Sequence, residues 1–64
     1  MTRKQLFPPL SHYRRLGLEC DHIPPEPWPT DDVELRDAFR VPRSWADEWF
    51  AAFLEGIRFQ LGKP

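Results

Sequence analysis

Four side chains of this 64-residue chain have types that carry nucleophilic or metal chemistry: His12, Cys20, Asp21 and His22. Zinc sites ordinarily take four ligands in paired spacings. A C-x-H with one distant histidine leaves such a site incomplete unless a second chain completes it. Cys20 and His22 are two apart, so on an extended segment they project to one side, as a thiol and its base would. No pocket-forming framework or oxyanion donor accompanies them. The expectation is a buried Cys20 with exposed histidines, in a protein that is not an enzyme and holds no metal or cofactor. Paired carboxylates occur at Asp31/Asp32 and at Asp47/Glu48. Both pairs fall in the first turns of predicted helices, where the helix dipole favours acids, so capping accounts for them.

The element that organises the chain is Ser44 to Leu61, SWADEWFAAFLEGIRFQL. At roughly 100° per residue, Trp45, Ala46, Trp49, Phe50, Phe53, Leu54, Ile57 and Leu61 fall within about half the circumference. Asp47, Glu48, Glu55 and Arg58 take the other half. The spacing predicts one long amphipathic helix with Ser44 as N-cap and Gly62 with Pro64 as the stop. Three details break the two-face pattern: Phe59 projects beside the acidic face, Gln60 projects into the apolar arc, and Ala52 with Gly56 makes a small-residue edge. That edge would let another backbone approach closely.

Upstream, Thr2 to Phe7 reads as a single helical turn ended by Pro8-Pro9. A weak helix capped by Ser11 follows and is stopped at Gly17, with Leu10, Tyr13 and Leu16 as anchors. Leu18 to Ile23 alternates apolar and polar residues but has no second strand to pair with, so an extended segment lying on the helices is expected. Ile23 to Pro29, IPPEPWP, reads as polyproline II, with Trp28 bracing the aromatic face at Trp45, Trp49 and Phe53. Residues 31–40 form the next predicted helix, with Asp31 and Glu34 as a capping-box-like pair or Thr30 as the cap, ended by Pro42. The expected fold is a mainly α, single small domain over residues 1–64: an N-terminal wrap (1–22), a proline-rich extended segment (23–29) packed across the long helix, and a helix–turn–helix-like pair (31–40 and 44–61).

Composition bounds the function. A chain of this size buries only about 60% of its unfolded surface, and one cysteine excludes an internal disulfide, so association is the expected extra source of stability. There is no run of apolar residues long enough to span a membrane and no secretory h-region; a cytoplasmic location is expected. The net charge of −1 argues against a general nucleic-acid binder. In a DNA-binding helix–turn–helix, moreover, Asp47 and Glu48 would face phosphates that repel them. The total conceals a split: Arg3, Lys4, Arg14 and Arg15 have no acids among residues 1–18, whereas residues 19–39 carry seven acids and only Arg36. Either the two segments offset one another, or the acidic one steers a partner.

The resulting expectation is a non-enzymatic protein–protein interaction protein. Small size and a usage of arginine over lysine that often accompanies GC-rich coding suggest a phage or mobile-element accessory protein. It would inhibit a host complex by stoichiometric binding, with a virion (tail) assembly chaperone or structural module as the alternative and a DNA-binding regulator third. The candidate partner-binding residues are Trp45, Ala52, Gly56 and Phe59 as anchors, and Glu19, Asp21, Glu26, Asp31 and Asp32 as the acidic contribution. Homodimerisation through the C-terminal helix is the self-association form of the same expectation.

Overall fold

The computed structural model describes residues 9–62; the expected turn at Thr2 to Phe7 lies outside them. It is mainly helical, with α1 at Leu10–Leu18, α2 at Asp32–Ala38 and α3 at Asp47–Gln60, and no strand among the described residues. No helix among them is long and apolar enough to cross a membrane. Residues 20–25, which include most of the alternating LECDHI stretch, have no regular structure.

Helices α1 and α3 lie side by side in the same direction. Tyr13 stacks on Trp49 with ring centroids 5.0 Å apart and planes 6° from parallel. One turn further on, Gly17 meets Gly56, and beyond that the Gln60 amide donates to the Gly17 and Cys20 carbonyls at 2.8 and 3.2 Å. The two glycines let backbone touch backbone. A Cβ built on Gly17 would strike the Phe53 carbonyl oxygen and lie 2.9 Å from Ile57 N, and one built on Gly56 would strike the Arg14 carbonyl oxygen. Gly17 is therefore a contact within α1 rather than its stop, and the helix continues to Leu18. Gln60, the polar residue expected within the apolar arc, stays exposed but turns its amide toward α1. It does so because the last carbonyls of α1 lack helical partners and require donors.

Two parallel helices require the intervening chain to travel back along them, and residues 19–46 make that return with α2 inside it. Asp31 caps α2 by accepting from Glu34 N at 3.2 Å, the first of the two caps the sequence offered. The C-terminus of α2 is a Schellman motif: Arg40 N donates to Asp37 O at 3.0 Å and Val41 N to Arg36 O at 2.9 Å. That motif needs a left-handed residue, usually glycine, and here Arg40 fills the position with φ 61°. Helix α2 thus ends at Ala38, two residues short of the expected boundary.

The start of α3 also differs from expectation. Ser44 lies in a turn, Ala46 occupies the N-cap position without a side-chain cap, and the helix begins at Asp47. The cause is Arg36, which the sequence pattern placed on a polar helix face. Its side chain is only 4% exposed. Its Nη1 donates to the Trp45 and Arg43 carbonyls at 2.7 and 3.4 Å, its Nη2 to Asp47 Oδ1 at 2.8 Å and its Nε to Asp32 Oδ2 at 2.9 Å. The guanidinium also lies 5.0 Å from the Phe50 ring centroid. By turning carbonyls of residues 43 and 45 toward itself, Arg36 holds the connection as a turn until Ala46. A guanidinium suits this role because its planar fork serves several acceptors at once. The carboxylates of Asp32 and Asp47 stay largely in water, each lending one oxygen to the buried cation.

The core is Phe39, Val41, Phe50, Phe53 and Ile57, the last with no exposed surface. Phe50, Phe53 and Ile57 come from the inner face of α3 as the helical spacing predicts. Trp28 packs against this cluster edge-on to Phe39 at 5.0 Å and donates from Nε1 to the Pro24 carbonyl at 3.0 Å. The closest ring contact of this brace is therefore to the residue just after α2, where the sequence pattern pointed to Trp45, Trp49 and Phe53. The Glu26–Pro27 peptide is cis, and the chain bends at residues 26 and 27.

Candidate protein-binding surface

Helix α3 has an outer stripe as well as an inner one. Glu48, Ala51, Glu55 and Phe59 recur at three- and four-residue steps, so they line one side of the helix. Beside it on α1 runs a second line, Leu10, Arg14 and Leu18, each four apart. The two lines meet where Arg14 Nε donates to Glu55 Oε1 at 2.7 Å. Toward the N-termini, Leu10, Arg14, Glu48, Ala51, Ala52 and Glu55 enclose an open hollow of about 270 Å³. Toward the C-termini stands Phe59, 75% exposed, well above any other large apolar side chain of the described residues. Leu10 and Leu18 are 43% and 38% exposed. Single exposed leucines are ordinary on a protein surface. A phenylalanine left this open on α3, beside an α1 line with two exposed leucines, is of the kind that marks interaction sites.

The expected site residues divide into two groups. Phe59 is exposed. Ala52 and Gly56 are not: both are buried, Ala52 at 6% exposure, and their close-approach edge is filled by α1 of the same chain. The expectation of an external partner at that edge is corrected, because Gly17 supplies the matching small residue. Trp45 is half-buried, edge-on to Tyr13 at 4.9 Å and to Phe53 at 5.7 Å, and its carbonyl is held by Arg36. It belongs to the internal aromatic stack.

Among the acids, Asp31 is spent on the α2 cap and Asp32 on Arg36. Glu26 is exposed at the cis bend. Glu19 and Asp21 are exposed on either side of Cys20, whose carbonyl is bound by Gln60. That bond ties the backbone between the two acids to the last turn of α3, where Gln60 follows Phe59 in the chain. The other anchors assigned to the N-terminal helix are partly reversed: Tyr13 is buried, but Leu10 and Leu16 are exposed. The i, i+4, i+8 spacing of Leu10, Arg14 and Leu18 was the available signal for the second line of the surface, and Ala51 was the small residue overlooked on α3.

The charge split is not resolved by the basic segment meeting the acidic one at Arg14, whose partner is Glu55 on α3. Within the acidic segment, Asp37 takes hydrogen bonds from Arg43 at 2.8 and 3.3 Å. The Arg43 hydrogen bond holds the Asp37 carboxyl below its ordinary value near 3.8, and Asp37 in turn raises the Arg43 guanidinium.

Cys20 Sγ donates to the His22 backbone carbonyl at 3.4 Å. His12 lies edge-on to Tyr13 at 5.1 Å. No group of three or more His, Cys, Asp or Glu side chains among the described residues is placed to hold a metal ion. No family model, curated protein or solved structure matches this chain.

Proposed function

We propose that this is a small, non-enzymatic protein-interaction protein that acts by occupying a surface of another polypeptide. The observation that carries the reading is Phe59, 75% exposed in the last turn of a helix whose opposite face is locked into the core. Its side chain is presented without a large ordering cost, because the backbone beneath it is fixed, and a rigid aromatic anchor is the usual centre of a binding hot spot. Glu19 and Asp21 add negative charge at the same end. The complementary target is an apolar pocket with a basic rim. The most concrete form is stoichiometric inhibition of a host complex by a phage or mobile-element accessory protein in the cytoplasm. In this reading, the Ile23–Pro29 strip and the helix–turn–helix-like α2–α3 pair are the scaffold that keeps α3 rigid.

The test compares capture of host proteins by the wild-type chain and by Phe59→Ser, with helicity monitored by circular dichroism. A partner retained by wild type and lost from a folded variant is expected. Equal capture by both, or no partner for either, overturns the reading.

A further inference from the structure

We propose that the Phe59 face is self-complementary and that its occupant in the free protein is a second copy of the same chain, bound antiparallel across a two-fold axis near Glu55. This rests on the reading of that face as a protein-binding surface and names its partner. Phe59 is four residues after Glu55 and Ala51 is four residues before it, on the same outer stripe of α3. A two-fold axis through Glu55 therefore carries the exposed Phe59 of each copy onto Ala51 of the other. Ala51 is exposed and lines the hollow with Leu10 and Ala52. The hollow, about 270 Å³, has ample room for a phenyl ring, since apolar cavities of about 150 Å³ accept benzene. Residue i meeting j while j meets i is the defining property of an isologous interface.

Charge supports the same occupant. The axis would bring together two Glu55 carboxylates, which would repel were they alone. Each arrives with its own Arg14, which among the described residues bonds Glu55 through Nε alone, at 2.7 Å. The terminal NH₂ groups of Arg14 remain for the partner's carboxylate, and the four groups sum to zero charge. Neither half of the arrangement needs a new conformation.

The experiment uses the full chain with Cys20→Ser as background. Sedimentation equilibrium from micromolar to near-millimolar concentration measures the dimer, and Phe59→Ser and Ala51→Glu, each checked for helicity, should both weaken it by at least about tenfold. Under mild oxidation, Glu55→Cys should cross-link to its own copy, because residue 55 faces itself. Ala51→Cys should not, because the two copies of residue 51 lie about 12 Å apart along the helices, beyond disulfide reach. A monomer at all concentrations overturns the proposal, as does a dimer unaffected by both surface variants or one cross-linked at 51 and not at 55. If a monomer still captures a foreign partner through Phe59, the dimer alone is refuted and the protein-binding reading stands.

Discussion

Arg40 and Asp37 are the two residues whose local chemistry yields the sharpest expectations. Arg40 holds φ 61° at the C′ position of α2, where a Cβ costs roughly 1 kcal/mol that glycine avoids. Arg40→Gly should therefore raise the thermal midpoint, by about 1 kcal/mol of stability less glycine's greater freedom in the unfolded chain. A thermal melt followed at 222 nm checks this, and no change would mean the left-handed position costs nothing here. Asp37 is held below its ordinary value by the Arg43 hydrogen bond. A carboxylate whose folded pKa is lowered adds stability that is complete above the unfolded pKa and is lost as pH falls through the folded one. The Asp37 contribution should fade between the ordinary value near 3.8 and more acid pH. Asp37→Asn should be less stable than wild type at neutral pH and converge with it in strong acid, read by denaturant melts across that range. The pair is solvent-exposed, so the gap should be small.

At the scale of elements, much was legible because the hydrophobic period decides it. The inner face of α3 follows from spacing alone, and residue type narrows the α2 cap to Asp31 or Thr30. What escaped was long-range. Arg36 occupies a position that helical spacing assigns to solvent, yet it is buried, with its guanidinium over Phe50 and bonded to the Trp45 and Arg43 carbonyls, nine and seven residues away. The same bonds displaced the start of α3 from Ser44 to Asp47. The Gly17–Gly56 crossing was half visible: the small edge at Ala52/Gly56 was recognised, but Gly17 reads equally as a helix terminator, and no local rule chooses between them. The crossing makes its own prediction. Alanine inside a helix ordinarily gains about 1 kcal/mol over glycine, yet Gly17→Ala would drive a methyl into the Phe53 carbonyl and Ile57 N. Backbone cannot step aside as a side chain does, so a net loss of about 2–3 kcal/mol or more is expected. Gly62→Ala is the control: its Cβ meets nothing within 4 Å and its φ is +78°, so it should cost only about 1 kcal/mol. Chemical denaturation of the two variants separates steric from conformational cost, and equal losses would refute the close crossing.

At the scale of the whole molecule, the decisive contrast is between two phenylalanines on one helix, six residues apart. Phe53 is 5% exposed and touches Phe39, Trp45 and Phe50 rings; Phe59 is 75% exposed. A chain of this length has a total stability of roughly 3–10 kcal/mol. Phe53→Ser removes a core aromatic, which costs about 3–5 kcal/mol, and adds a hydroxyl with no assured partner. It should leave the chain largely unfolded. Phe59→Ser removes a ring that water already surrounds, so the monomer's own fold should change by no more than about 0.5 kcal/mol. The measurement is urea denaturation at two protein concentrations. For wild type the midpoint should rise with concentration, because a bound second copy stabilises the folded state by mass action. For Phe59→Ser it should be independent of concentration and should match the dilute wild type. A Phe59→Ser midpoint that falls as far as that of Phe53→Ser would make Phe59 a core residue, and the outer stripe of α3 would lose its standing as a surface for another chain.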